Sequence, residues 1–341
     1  MADAATRIRI VVNAELGSPA QIALDRLRQS LSDGGYAVVD ADPEVTIQIG
    51  TAATAQPAAL LAATGAALNE APESLAFAFA DGVLAIGGSD DRGLAYALRE
   101  AARRIDLAPA PLDWASVFPP TAESPFLRKR SVCIFPHNEA VDGPWYFNPA
   151  FWEAYFDKLS LYRFNAFSLT FGHQTAYLVP PYAFLVPMPE FPDVTVPSLT
   201  DEQRERNLAT LQMISRTAVE RGIDFTFGVW QQHSYEYGES LVEGLSLDIL
   251  ADYCELGMAK VLKACPDISG VQLRVNSESG IEAEDSPAFF RSIYSGIVAA
   301  GREIEIDCRA KAIADDTWEG ALATGLPTTV STKFWCEHQG M

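Results

Sequence analysis

The sequence predicts a mixed α/β protein in which a small N-terminal α/β domain precedes a (β/α)8 TIM-type barrel that is truncated after its sixth strand. From residue 131 onward, β-rich runs alternate with segments of helical periodicity, which is typical of a parallel sheet. All four histidines follow the ends of predicted strands, where a barrel carries its functional residues. Within the first 107 residues, an Asp-Gly pair separates two apolar runs and predicts a hairpin in a second, smaller sheet.

Residues 1–107 are predicted to form the small α/β domain. Its clearest signal is Asp81-Gly82 between the apolar runs Leu75–Ala80 and Val83–Ile86, because an Asp-Gly pair favours the tight turn of a β-hairpin. The other predicted elements are a strand at Arg7–Val12, a helix at Ser18–Leu31, a strand at Val45–Ile49 and a helix at Arg92–Leu107. Residues 108–130 contain five prolines and no helical period, and we interpret them as a linker.

Residues 131–341 are predicted to form the barrel domain. The predicted strands are Ser131–Phe135, Ala166–Phe171, Asp224–Trp230, Gly270–Asn276, Glu303–Asp307 and Thr328–Phe334. The helices between them are Phe151–Tyr162, Asp201–Arg221, Ser246–Lys263, Ser286–Ala300 and Asp316–Thr324. A doubly wound sheet is the alternative architecture, but no glycine-rich phosphate loop follows any predicted strand, which favours the barrel.

The number of predicted strands bears on whether the barrel closes. Six strands are two fewer than a closed barrel needs. We therefore expect the chain to be a partial barrel, from a truncated or partial gene product, with a natural half-closed variant as the alternative. In the first case, the activity inferred below belongs to a longer parent protein and is absent from this fragment.

Composition excludes several classes of function. The chain has 25 Lys and Arg against 45 Asp and Glu, a formal charge of −20, so its surface repels phosphate backbones and anionic lipid. No apolar stretch is long enough to span a bilayer, and the N-terminus has no signal-peptide pattern, so a cytoplasmic protein without a nucleic-acid or membrane partner is expected. Five widely spaced cysteines fit a reduced compartment, and no zinc-ligand spacing occurs, so no metal site is expected.

Polar residues collect at the carboxyl ends of the predicted strands. The four histidines there are His137, His173, His233 and His338. The alternation of side chains along a strand also assigns three sets of charged and polar residues to common faces: Arg274, Asn276 and Glu278 on the fourth strand, Glu305, Asp307 and Arg309 on the fifth, and Lys333, Trp335 and Glu337 on the sixth. Each of these strand ends therefore offers a carboxylate together with a cation.

This combination of groups is typical of glycan chemistry. Glycoside hydrolysis uses two carboxylates, one as an acid for the leaving oxygen and one as a base or nucleophile. Trp230 and Trp335 could supply flat surfaces for a sugar ring. In so acidic a chain, Arg274, Arg309 and Lys333 predict a pocket for an anionic ligand such as a sugar carboxylate. The alternative is that each cation only pairs with the neighbouring acid.

Four segments resemble glycoside hydrolase family 67, the α-glucuronidases, and more loosely the wider group that shares an N-terminal α/β domain with β-hexosaminidases. They are Gly88–Ala97 at the end of the first domain, Asn276–Gly280, which is similar to the family's Ser-Glu-Gly segment, Ile306–Arg309, and the Glu-x-x-Gly turn Glu337–Gly340. The proline-rich and aromatic segment from Tyr177 to Pro197 and the stretch around His173 match no segment of the family.

The resemblance implies an inverting hydrolase without a cofactor, in which Glu278 is the general acid and Asp307 or Glu337 activates water. Its ligand would be an oligosaccharide or uronide, and a homo-oligomer is compatible with it. A β-hexosaminidase-like enzyme is the first alternative, but that group has an adjacent Asp-Glu pair after the fourth strand, where this chain has Ser277-Glu278. A carbohydrate-binding protein with a vestigial site is the alternative from another class.

Overall fold

The computed structural model describes residues 6–52, 54–173, 177–233, 241–311 and 313–332. The chain divides into two compact units. Unit 1 comprises Met1–Arg130, Asp157–Asn165 and Glu220–Gly222, and unit 2 comprises Ser131–Phe156, Ala166–Val219 and Ile223–Met341. No helix in the described part of the chain is long and apolar enough to cross a membrane.

Unit 1 contains a six-stranded sheet with the strand order β2-β1-β3-β5-β4-β6. In chain order its elements are β1 (Arg7–Val12), α1 (Ser18–Asp33), β2 (Ala37–Val38), β3 (Val45–Thr51), α2 (Ala55–Ala63), β4 (Leu75–Ala80), β5 (Val83–Gly88), α3 (Asp91–Leu107), α4 (Trp114–Val117) and β6 (Thr121–Glu123). The predicted hairpin is confirmed, since β4 pairs antiparallel with β5 across Asp81 and Gly82, which both have positive φ angles, 49° and 77°.

The apolar stripe of α3 explains how unit 1 forms its core. Asp90 caps the helix by accepting a hydrogen bond from the Gly93 backbone N–H at 2.8 Å, and Leu94 and Leu98 on the following turns are fully buried. Gly88 permits the helix to lie against β5, because a Cβ atom there would lie 2.0 Å from the Leu94 nitrogen. The predicted helix at residues 92–107 is therefore confirmed within one residue.

The proline-rich segment 108–130 is not structureless. It contains the short helix α4 and the strand β6, which adds to the sheet by pairing antiparallel with β4. Both elements are too short for hydrophobic periodicity to register, so the sequence interpretation of a plain linker does not include them.

Unit 2 contains the second six-stranded sheet. In chain order its elements are β7 (Ser131–Ile134), α5 (Glu139–Tyr146), α6 (Pro149–Leu161), β8 (Ala166–Phe171), α7 (Asp201–Glu220), β9 (Asp224–Val229), α8 (Leu247–Ala264), β10 (Ile268–Arg274), α9 (Ser286–Val298), β11 (Glu305–Ala310), α10 (Asp315–Leu322) and β12 (Thr328–Thr332). Two short 3₁₀ turns at Tyr182–Phe184 and Ser277–Ser279 complete the set.

The strand order of unit 2 distinguishes between the two predicted architectures. The spatial order is β12-β11-β10-β9-β8-β7, and every adjacent pair is parallel. A doubly wound sheet reverses its strand order at a switch point, whereas the strands of a (β/α)8 barrel follow the chain in sequence. The sheet is therefore a curled half-barrel of six parallel strands, and the predicted fold class is confirmed. The helix α5 was not predicted, because its eight residues include Pro144.

Candidate functional site

The half-barrel presents an apolar face to its helices and a polar face to the inside of the curl. Phe167 on β8 packs against Trp152 and Phe156 of α6, with ring centroids 5.8 and 5.1 Å apart, and the Tyr294 hydroxyl of α9 lies 3.5 Å from the Cys308 Sγ of β11. Because side chains alternate along a strand, the residues between these ones point to the opposite, inward face. The apolar side chains take the alternate positions that face the helices, so the inner face of the sheet is left polar.

Strand register arranges the inward residues in three layers. The lower layer contains Cys133, Ser168, Thr226, Gly270 and Glu305, the middle layer Thr170, Gly228, Gln272, Asp307 and Thr329, and the upper layer Arg274, Arg309 and Ser331. A closed barrel usually fills these positions with bulky branched residues. Here the residues are small or polar, and a Cβ atom on Gly228 would lie 2.1 Å from the Thr170 Oγ1. The inner face is therefore built for polar contacts at its upper end.

The upper layer places two arginines side by side. Arg274 on β10 is directly opposite Arg309 on β11. The Arg274 side chain is only 6% exposed, and its Nε is buried without a hydrogen-bond partner among the described residues. Burial, followed by the neighbouring charge of Arg309, lowers the pKa of Arg274 to about 10. Two arginines in register on adjacent strands, one of them desolvated, form a region that favours an anion.

Trp230 holds the Arg274 side chain in position. The guanidinium carbon lies 3.7 Å from the centroid of the indole ring, which is a cation–π contact. One face of Trp230, which we predicted as a platform for a sugar ring, is therefore covered by an arginine. The contact holds the Arg274 guanidinium over the indole ring, and the role of Trp230 as a sugar platform stays a prediction.

Trp230 also belongs to a cluster of rings above β7, β8 and β9. The His173 ring lies 4.0 Å from Trp230, 4.8 Å from Phe135 and 4.6 Å from His137, measured between centroids. The Nδ1 atoms of His137 and His173 are 3.3 Å apart, so one imidazole donates and the other accepts. At the start of α5, Asp142 accepts a hydrogen bond from the His137 backbone N–H at 2.5 Å. Two of the predicted histidines therefore meet at this rim.

Glu278 lies on the turn that follows β10. Asn276 accepts a hydrogen bond from the Glu278 backbone N–H at 2.9 Å and so begins the 3₁₀ turn. The turn ends at Gly280, where φ is 78° and a Cβ atom would lie 2.2 Å from the His233 carbonyl oxygen. The Glu278 side chain is in contact with Lys311 through Oε1. The Asn276 cap and the turn at Gly280 therefore hold Glu278 at the end of β10.

Asp307 lies deeper than Glu278. It belongs to the middle layer, is 7% exposed, and accepts a hydrogen bond from the Gln272 side chain on Oδ2 at 2.6 Å. Its other oxygen, Oδ1, is buried with no hydrogen-bond partner among the described residues. A base that activates water must reach that water, so this burial is more typical of a residue that supports the upper layer.

Several predicted site residues lie elsewhere. His233 lines a separate cavity of about 570 Å³, together with Asp248 and Glu282. Arg309 stays in the upper layer with Arg274, where it is partly buried and donates to the Thr332 carbonyl oxygen. Lys333, Trp335, Glu337 and His338 lie outside the described residues. The described part of the chain has no group of three or more His, Cys, Asp or Glu side chains that could hold a metal ion.

Sequence reasoning missed two residues of the site. Gln272 and Lys311 have the same strand parity as Arg274 and Arg309, so alternation could have identified both. Gln272 has no charge, and Lys311 comes after the predicted end of its strand. Gln272 therefore does not stand out among the charged groups, and Lys311 lies one step of alternation beyond Arg309, the last residue assigned to that face.

Comparisons with known proteins show which solved structures share this fold. No protein-family model and no curated protein sequence matches the chain. Among solved structures, the chain is similar to a GH138 enzyme targeting pectin rhamnogalacturonan II, with a TM-score of 0.71 and 18% identity over 95% of this chain and 48% of that one. It is also similar to a GH115 4-O-methyl-α-glucuronidase with specificity for decorated arabinogalactans, with a TM-score of 0.57 and 14% identity over 96% and 45%.

A further neighbour is a family 20 β-N-acetylglucosaminidase, with a TM-score of 0.55 and 12% identity over 97% of this chain and 73% of that one. The chain thus spans about half the length of the GH138 and GH115 enzymes, 48% and 45%. At these identities the likeness shows the fold. It supports a glycoside hydrolase-like architecture and does not single out family 67.

Proposed function

We propose that the protein is a glycoside hydrolase that acts on a uronic-acid-bearing glycan, with Glu278 as its general acid. The observation that carries this proposal is the Arg274–Arg309 pair in one layer of the inner face, with Glu278 on the turn above the same strand. Arginines bind planar carboxylates through parallel hydrogen bonds, and a glycosidic oxygen needs a carboxylic acid beside it.

The fold supports the reaction class. The chain has the architecture of several glycoside hydrolases, and one of them is described as a 4-O-methyl-α-glucuronidase, whose substrate carries a carboxylate. A second candidate is an enzyme for an N-acetylated sugar, favoured by the similarity to a β-N-acetylglucosaminidase. Two adjacent arginines match an anionic substrate better than a neutral one, so we rank the uronide first.

The Lys311 contact specifies how Glu278 would work. A lysine ammonium group has three donors and no acceptor, so Oε1 of Glu278 accepts in this contact. The proton for the leaving oxygen would then be carried on Oε2. Lys311 would in this way orient the acid toward the scissile bond.

The residue that activates water is proposed from the same reasoning. In an inverting reaction the two carboxyl groups lie about 6.5 to 9.5 Å apart, which leaves room for a water molecule. Asp307 and Glu337 are both candidates for this base. The burial of Asp307 favours Glu337 for direct contact with water and Asp307 for positioning.

The proposal is tested by replacing the acid. Glu278→Gln keeps the size of the side chain but cannot donate the proton, so we expect turnover of an aryl α-glucuronide to fall about a thousandfold. Glu284→Gln, an exposed change six residues later, is the matched control and should retain activity. Initial rates measure both, and circular dichroism checks folding. Unchanged turnover in Glu278→Gln would overturn the assignment, and saturable binding of the glycan without any turnover in the unsubstituted protein would favour a carbohydrate-binding role.

A further inference from the structure

A second candidate site lies in unit 1, on the helices that cover its sheet. A cleft with a cavity volume of about 380 Å³ is lined by Ile22 and Arg26 of α1, by Arg99, Ala102, Arg103 and Asp106 of α3, and by Asp157, Lys158 and Leu161. All of these residues belong to unit 1. We call this the helix cleft, and its volume falls in the range that holds a ligand of monosaccharide size.

The charge of the helix cleft is opposite to that of the whole chain. Four of its lining residues are cations and two are acids, whereas the full sequence has 25 Lys and Arg against 45 Asp and Glu. Arg26 donates to Asp106 at 2.5 Å, and Arg103 donates to Glu100, just outside the lining, at 2.8 Å. Lys158 is exposed and has no ion-pair partner within the described residues. A local excess of positive charge in an acidic protein concentrates anions.

Arg99 shows that this charge is not fully neutralised. Its side chain is 6% exposed and donates through Nη2 to Asp157 at 2.8 Å, but its Nε is buried without a partner among the described residues. Asp157 is shared, since the Nε of Arg221 also donates to it at 3.0 Å. Burial lowers the pKa of Arg99, an effect that Asp157 opposes and that the charges of Arg221 and Arg26 increase. A desolvated cation with an over-shared counter-ion is stabilised when another anion binds nearby.

We propose that the helix cleft binds a small oxyanion ligand of monosaccharide size, such as a sugar phosphate or a sugar carboxylate. Arg103 and Lys158 would contact the anionic group from two helices. Ile22, Ala102 and Leu161 supply the apolar surface against which the carbon face of a ring can pack. This site is separate from the inner face of unit 2, so it does not depend on the proposed hydrolase activity.

Calorimetric titration of the full chain at low ionic strength tests the proposal. The probes are glucose 6-phosphate, D-glucuronate and inorganic phosphate, with glucose as the neutral control. We expect one saturable site for glucose 6-phosphate. The arginine pair of unit 2 is also proposed to bind a uronide, so D-glucuronate is titrated into Arg274→Met, and the tighter of the two ligands there identifies the preferred oxyanion of the helix cleft. Glucose should not bind, and rising salt should weaken the binding of the anions.

Substitutions locate the site. Lys158→Met and Arg103→Met each remove one charge at an exposed position and should weaken binding about tenfold. Lys263→Met, an exposed lysine at the end of α8, is the charge-matched control, and Arg274→Met removes the anion region of unit 2. Both should leave the affinity for glucose 6-phosphate unchanged. The proposal is overturned if no saturable binding occurs, if glucose binds equally well, or if only Arg274→Met weakens binding.

Discussion

The two sheets of this protein have the same number of strands but use their inner faces differently. In unit 1, Ile47 of β3 and Leu84 of β5 lie fully buried under helices, and the adjacent β4 contributes the buried ring of Phe77. In the described strands of unit 2, large apolar residues such as Phe167 occupy the face that meets the helices. The opposite face carries hydroxyls, amides and the charged pair Arg274 and Arg309.

This difference separates what stabilises the molecule from what could bind a ligand. Apolar burial contributes most of the folding free energy, and a polar inner face contributes little of it. Burying charged groups such as Asp307 and Arg274 costs folding free energy. Such groups are typical of functional sites. The buried sheet core of unit 1 should therefore respond to substitution mainly in stability, and the inner face of unit 2 mainly in ligand binding and turnover.

The largest expected effect is on the helix-facing side of unit 2. Phe167→Ala would remove a fully buried ring between β8 and α6, so we expect the free energy of unfolding to fall by about 4 kcal/mol. The matched control is the next residue, Ser168→Ala on the inner face, for which we expect a loss below about 1 kcal/mol. Urea unfolding followed by circular dichroism measures both. Equal losses would mean that the two faces are not energetically distinct.

The next effect concerns a charge network in unit 1 that is centred on the buried carboxylate of Glu73. Burial alone would raise the pKa of Glu73, but hydrogen bonds from Asn165 and Arg130 and the positive charges of Arg130 and Arg92 outweigh it, so the pKa lies below its usual value. Glu73→Gln would leave Arg130 without its buried counter-ion, and we expect a loss of about 3 kcal/mol near pH 7.

The same network predicts a pH dependence. Because the pKa of Glu73 is lower in the folded state, its contribution to stability is present above its unfolded value of 4.5 and is lost as the pH falls through the folded value. As the pH falls below 5, the free energy of unfolding of the wild-type protein should therefore decrease more than that of Glu73→Gln. Glu70→Gln, an exposed change nearby, is the control. A parallel pH dependence of wild type and Glu73→Gln would contradict this account.

The next expected effect is that of Arg274. It is smaller in free energy but tests the proposed function more directly. Arg274→Met removes one of the two guanidinium groups, and we expect kcat/KM for an aryl glucuronide to fall about thirtyfold, while an aryl glucoside is unaffected or improved. Arg291→Met, an exposed arginine on α9, is the control. If both substrates lose the same factor, the arginine pair has a structural role and does not recognise a carboxylate.

The smallest expected effect is that of Lys311. Lys311→Met leaves Glu278 in place but removes the donor to its Oε1, so we expect kcat to fall about tenfold with little change in KM. Lys311→Arg, which keeps a donor and the charge, should recover most of the rate. A kcat in Lys311→Met equal to that of the wild type would assign this lysine to the surface.

Sequence patterns predicted much of this fold because the local signals agree with the final structure. The Asp81-Gly82 hairpin, the stripe of α3 and the alternation in β8 to β11 all follow from residue type and period. What could not be predicted is register. Parity assigned Arg274 and Arg309 to inward faces, but only the pairing of β10 with β11 brings the two arginines into register on adjacent strands.

The sequence also could not reveal contacts between distant segments. Trp230 was predicted as a sugar platform, and the cation–π contact with Arg274 arises from two strands that are more than 40 residues apart. The helix cleft combines α1, α3 and residues 157–161, which share no motif. Such sites depend on packing, so residue patterns within one segment carry no signal for them.

The central claim is that the inner face of the half-barrel binds a uronide between its two arginines. A crystal structure of Glu278→Gln with an aryl α-glucuronide tests this most directly. The account predicts the sugar carboxylate within hydrogen-bond distance of Arg274 and Arg309, and the glycosidic oxygen beside residue 278. A sugar bound elsewhere, or bound on the inner face with its carboxylate directed away from both arginines, would contradict the account.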